Sequence, residues 1–161
     1  MTILWLEVGG IQGVRHDLDK TVRVKVDRAI RDVSAEQFDA VQLPGGTINA
    51  DTIRMVSEVQ DFLRAMQDAR KPLAAICHAP WKLVSARLVR GRTLTSYHTI
   101  QDDIRNAGSD WADHAMIEDG NWVTSRQPSD LPAFIRGMIA CSPAAPPQPT
   151  GKSTAEIATA E

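Results

Sequence analysis

The chain has 161 residues, 43% of them hydrophobic and 24% charged, which is enough to bury one core without disulfide or metal staples. A formal charge of -2, with acidic and basic residues interspersed, leaves no basic stripe to neutralise phosphates and excludes nucleic acid as a partner. Only two cysteines, Cys77 and Cys141, and an opening "MTILWLEV" without a basic front point to reduced thiols in the cytoplasm; no apolar run approaches the ~20 residues of a membrane span.

Taken in chain order, short β-rich runs alternate with helical patterns. Thr2 to Val8, Val22 to Val26, Ala40 to Leu43 and Leu73 to Ile76 read as strands, and their spacing predicts a mainly parallel sheet in an α/β fold. From Asp51 to Arg70 the residues Ile53, Val56, Val59, Phe62, Leu63 and Met66 recur at helical spacing, which predicts one covering helix. Arg92 to Tyr97 alternates like a strand, Gln101 to Ala107 reads as a helix closed by Gly108, and Met116 to Thr124 folds over "EDGNW" as a hairpin. A last helix follows Pro132. Residues 142–161 are rich in proline and alanine and poor in large apolar groups, so they read as a disordered tail behind a single domain of residues 1–141.

Chemistry concentrates in "KPLAAICHAPWKLV". An apolar strand ending at Cys77, followed by His78, Ala79, Pro80 and a helical continuation, predicts a strand-to-helix elbow whose helix start favours a thiolate. Alternatively Cys77 is a buried core cysteine, and the segment alone leaves both readings open. The stretch "VQLPGG" ends a second strand in Pro44, Gly45 and Gly46; if that strand lies beside the first, the N–H groups of Gly46 and His78 converge as an oxyanion hole. A neutral His78 is placed to accept the thiol proton, or else lies on the surface at a helix start. His16 and His114 stand at no ligand-like spacing, so neither a metal nor another cofactor is expected.

The ordered set "VQLPGG", "KPLAAICHAP", "VRGRTLTSY", "DDIRNAG" with Trp111, and "DGNWVTSRQPSDLPAF" resembles the ThiJ/PfpI superfamily, and more narrowly its PfpI-type members, in which a His directly follows the elbow cysteine. The resemblance implies a flavodoxin-like three-layer sandwich, assembly as a homo-oligomer (dimer or hexamer), and a stress-related cysteine hydrolase acting as an intracellular peptidase or a deglycase on peptide or glycated substrates. It assigns Cys77 as nucleophile, His78 as the adjacent imidazole, and Gly46 with the His78 amide as oxyanion donors. It also implies an acid lent by a neighbouring subunit shortly after the Gly pair, for which Asp51 is the nearest candidate, although Asp51 suits a plain helix N-cap equally well. His98 is a secondary candidate, one residue beyond Tyr97, which takes the place where the superfamily often has a histidine. Arg126 is expected to tie loops or subunits together.

The chain departs from that pattern at its front. A family glutamate that supports the cysteine has no counterpart, and roughly thirty to forty residues that would carry the central first strand are missing relative to the pattern, so "TILWLEV" is expected to fill that place beside the strand of Cys77. Glu7, at the end of this run, is a candidate substitute for the glutamate or a surface carboxylate. A non-catalytic or redox-sensing stress protein with an oxidisable elbow cysteine is therefore the alternative to an active hydrolase.

Overall fold

A computed structural model describes residues 1–15 and 19–141. The expected tail and His16 lie outside the described residues.

The central sheet has four strands in the order β5 (Val41–Leu43), β6 (Leu73–Ile76), β10 (Trp122–Ser125) and β9 (Met116–Asp119). β5, β6 and β10 run parallel, with Leu43 opposite Ala75 and Ser125 opposite Ile76, while β9 returns antiparallel to β10. Every residue of β6 is buried. Its alternating side chains feed two cores: Leu73 and Ala75 join one cluster, Ala74 and Ile76 the other. A strand covered on both faces explains why this segment is uniformly apolar rather than alternating.

One face carries α1 (Thr47–Arg54), α2 (Ser57–Asp68), α3 (Pro80–Ser85) and α4 (Gln101–Asn106). Helix α2 buries Val59, Phe62, Leu63 and Met66, one stripe at helical spacing. The other face is closed by α5 (Leu131–Cys141), whose Phe134 meets Ala74, Ile76 and Val123. At Gly137 a Cβ would stand 3.1 Å from Val123 and 3.2 Å from Met116, so glycine lets α5 approach β9 and β10 closely. The result is the expected three-layer α/β sandwich with a mostly parallel main sheet. No helix among the described residues is long and apolar enough to cross a membrane.

Several expectations are met in outline. Helix α4 is followed by Gly108 at a φ of 90°, and β9 and β10 form the expected hairpin around Gly120 at a φ of 61°. Others are corrected. The opening strand is only β1 (Leu4–Trp5), and it pairs with β4 (Arg28–Ala29) rather than with β6, whose two edges are taken by β5 and β10. A bend over residues 6–8 and Gly9 at a φ of 150° end β1 early. The chain then forms a ribbon, β2 (Gly9–Arg15) against β3 (Asp19–Val26), most of whose β3 side chains are exposed. At Gly13 a Cβ would lie 2.7 Å from Thr21 Oγ1, so the glycines that weaken the strand signal are also what allow the pairing.

The single helix expected over Asp51 to Arg70 is two. Arg54 turns its guanidinium toward Ser85 and Trp81, and the Gln60 amide donates to the Arg54 carbonyl at 2.8 Å, closing α1 before α2 starts. The strand expected over Arg92 to Tyr97 is only β7 (Thr93–Leu94), paired with β8 (Asp110–Trp111). Beyond it, the Thr95 N–H donates to the Thr124 side chain at 3.0 Å and the Tyr97 N–H to the Cys77 carbonyl at 2.9 Å, so this segment bonds outside any ladder.

Candidate active site

The site forms at the carboxyl edge of the main sheet, where β6 passes into α3. Cys77 adopts a φ of 65°, a left-handed conformation that costs a residue with a β-carbon about 1–2 kcal/mol. Hydrogen bonds hold it there: Cys77 N–H to the Ser125 carbonyl at 3.0 Å, and Tyr97 N–H to the Cys77 carbonyl at 2.9 Å. Pro80 then opens α3 at its first turn, where a missing N–H does no harm. The Cys77 side chain is half-buried and in no disulfide.

The Pro44-Gly45-Gly46 turn packs on the elbow from β5. A Cβ on Gly45 would fall 2.7 Å from Cys77 Cβ and 3.4 Å from its Sγ, so only glycine allows this approach. Gly46, at a φ of 93°, is the N-cap of α1, and its N–H meets no acceptor among the described residues. The turn is braced from behind: Asn49 Nδ2 donates to the carbonyls of Pro44 and Gly45 at 3.3 and 2.9 Å, and Lys82 Nζ donates to the Pro44 carbonyl at 3.0 Å.

His78 is buried, 8% exposed, and is not a surface residue. Its Nδ1 lies 3.3 Å from Cys77 Sγ, while Nε2 faces the hydroxyls of Thr99 at 3.3 Å and Thr47 at 3.5 Å. With Nε2 protonated and donating to a threonine, Nδ1 is a lone-pair acceptor aimed at the thiol. The ring packs between Trp81 and Tyr97, with centroids at 5.6 and 4.9 Å. Aromatic walls restrict the ring and keep water from it.

The remaining candidates lie farther out. Asp51 is exposed in the middle of α1, one turn beyond Thr47, and the N-cap it could have formed is taken by Gly46. Glu7 is exposed in the bend after β1 and makes no hydrogen bond or ion pair among the described residues. His98 is exposed and stacks on Tyr97 at 4.4 Å, so it is one ring removed from His78. It lines a cleft of about 240 Å³ with Asp113, Arg126 and Gln127. Arg126 follows β10 and ties loops within the chain: Nε and Nη2 meet the Asp130 carboxylate at 2.8 and 3.1 Å, and Nη1 meets Asp113 at 2.8 Å. These bonds, Asp130 first and Asp113 second, push the guanidinium above its ordinary value. At the other thiol, burial and the Glu118 charge push Cys141 up.

Sequence reasoning missed Thr47, Thr99, Lys82 and the role of Tyr97 as a wall of the site. The two threonines come from segments remote in sequence from His78 and carry no motif of their own; Lys82, in "CHAPWKLV", reads as an ordinary helical lysine.

Comparison with known proteins converges on one family. The chain is 43% identical over 116 residues to Deglycase PfpI of Pyrococcus furiosus, covering 72% of this chain and 69% of that protein. General stress protein 18 of Bacillus subtilis is 40% identical over 121 residues, covering 74% and 70%. Among solved structures, Drosophila melanogaster DJ-1beta superposes with a TM-score of 0.69 at 30% identity, over 75% of this chain and 66% of that one. The DJ-1/PfpI family profile matches residues 6–140, a span that contains the Gly pair, the elbow cysteine and every wall of the site, and the chain belongs to that family.

Proposed function

We propose that this protein is a stress-related cysteine hydrolase of the deglycase or peptidase type, with Cys77 as nucleophile and His78 as its proton acceptor. The observation that carries the reading is the 3.3 Å contact between Cys77 Sγ and His78 Nδ1 at an elbow against which a Gly-Gly turn is packed. Relatives named as deglycases, at 42–45% identity in the Pyrococcus, Thermococcus and Escherichia coli proteins, support it.

In this reading the thiol proton passes to Nδ1 as Sγ bonds to a substrate carbonyl carbon, and the π electrons move to oxygen beside the Gly46 and His78 amides. With a peptide substrate, collapse of the tetrahedral adduct expels the amine, which recovers the proton from Nδ1, and leaves a thioester. Water then adds to the thioester, His78 again taking and returning the proton, and the thiol is released with a carboxylic acid. No cofactor enters these steps.

Assembly with further copies of the chain completes the proposal, in a cytoplasmic setting that suits two thiols. Asp51 shares the exposed side of α1 with Ile48 and, just past its end, Met55, which are 70% and 76% exposed, and that face suits burial against a neighbour to which Asp51 would be lent. A redox-sensing role is the second reading, favoured by one observation: Glu7 makes no contact with Cys77 that would replace the family glutamate.

Replacing the nucleophile separates the two. Cys77→Ser should abolish consumption of methylglyoxal or a peptide substrate while leaving the circular dichroism spectrum unchanged. If wild-type protein consumes neither, yet Cys77 gains oxygen under mild peroxide, the sensing role takes its place.

A further inference from the structure

Among the described residues, Lys82 is the buried charge near the elbow that the proposed chemistry does not use. It is 1% exposed, and among those residues the Pro44 carbonyl is the sole hydrogen-bond partner of its Nζ, at 3.0 Å. No carboxylate among the described residues forms an ion pair with it. An ammonium buried against a single neutral carbonyl is costly, and an aliphatic residue would fill the same helix position at lower cost.

The charged groups of the elements packed against α3 are engaged elsewhere or face solvent. On α1, Arg54 meets Ser85 and the Trp81 ring, and Asp51 is exposed. On α2, Arg64 donates to the Ala86 carbonyl and to Asp61, Glu58 bonds Ser57, and Asp68 is exposed. On α4, Asp103 accepts from Trp81 Nε1 and Asp102 pairs with Arg105. His78, at the elbow, points its ring nitrogens at Cys77, Thr47 and Thr99. The Lys82 charge is therefore not neutralised by a neighbour. The carbonyl it grips belongs to the peptide that leads into Gly45, whose missing side chain is what lets the turn touch Cys77.

We propose that Lys82 is a positioning residue of this site, clamping the Pro44-Gly45-Gly46 turn against the elbow and placing a buried cation behind the Cys77 thiol. The clamp aligns the Gly46 N–H, and the cation favours the thiolate over the thiol across a low-dielectric gap. Asn49 works beside it on the Pro44 carbonyl and on that of Gly45, and its own Oδ1, buried without a partner among the described residues, marks the cluster as one that stores cost for the sake of geometry. The inference rests on Cys77 being the reacting thiol.

Two neutral variants divide the roles: Lys82→Met removes clamp and charge, Lys82→Gln keeps a donor for the Pro44 carbonyl and removes the charge alone. The rate of Cys77 alkylation by iodoacetamide is measured against pH for both and for wild type, with Cys141→Ser in every background so that one thiol is read. Lys82→Met is expected to show about tenfold less thiolate at neutral pH, and turnover is expected to fall about tenfold with KM little changed. Lys82→Gln matching Lys82→Met assigns the effect to charge; an intermediate profile assigns part of it to the clamp. Profiles that superimpose on wild type overturn the proposal, and so does loss of the folded circular dichroism spectrum in both variants, which would make Lys82 a determinant of the fold instead. Because alkylation needs no substrate, a shifted profile in a protein that turns nothing over would retain Lys82 and sink the enzymatic reading alone.

Discussion

Burial pushes the Lys82 ammonium from its ordinary value of 10.5 down to about 8, and that displacement has a sign in the stability of the fold. Below pH 8 the lysine is charged in both folded and unfolded chains, so the full cost of burying it is present. Between about 8 and 10.5 the folded chain releases the proton while the unfolded chain keeps it, so stability rises with pH through that window. The ceiling on this gain is about 3 kcal/mol. Urea unfolding of wild type and Lys82→Met should therefore differ most near pH 7, with the variant the more stable, and the gap should narrow toward pH 10. A gap independent of pH would mean that Lys82 titrates alike in the folded and unfolded chains, so that burial does not displace it. None of this was legible in the sequence, where a lysine within a helical run reads as solvated. By contrast, Cys77, His78 and the Gly pair were legible through the ordered set of motifs taken together, since the Cys77 segment alone left a core cysteine and a surface His78 open and the Gly pair counted only if its strand lay beside that of Cys77.

At the scale of elements, the apolar stripe of α2 is what anchors the helical face to the sheet. Leu63 is 1% exposed and sits in the main cluster with Phe62, Met66 and Leu73. Leu63→Ala should cost about 2–5 kcal/mol, read as a lowered midpoint of thermal or denaturant unfolding, with the site chemistry little affected below that midpoint because α2 contributes no side chain to it. The stripe was readable from its period, yet the break between α1 and α2 was not. Its cause is a pair of contacts, Gln60 on the Arg54 carbonyl and Arg54 on Ser85, that only the folded chain brings together. The strand expected over Val22 to Val26 lies within β3, but β2 and its pairing with β3 escaped for a similar reason, since glycines that permit close pairing look like punctuation in a one-dimensional reading. Where pattern and packing agreed, as in β6, α4 and the β9–β10 hairpin, the expectation and the structure coincide.

For the molecule as a whole, the exposed face formed by Ile48 and Asp51 of α1 and by Met55 at its end follows directly on the Gly45-Gly46 turn. If copies of the chain bury this face, specific activity should rise with protein concentration, and Asp51→Asn should lower turnover without changing the elution volume on a sizing column. Full activity in a monomer would remove Asp51 from the site. The site itself is a tertiary object in a strict sense. Cys77 is fastened to Ser125 by its N–H, to Tyr97 by its carbonyl and to Gly45 by contact, and these partners come from three separate stretches of chain. If Cys77 is the reacting thiol, a nascent or refolding chain carries the cysteine throughout but completes its surroundings only when β5, β10 and the segment after β7 have all docked. On that reading a half-folded chain would expose an ordinary thiol, and local opening at any one of the three seams would lower the rate of Cys77 alkylation before the fold is lost.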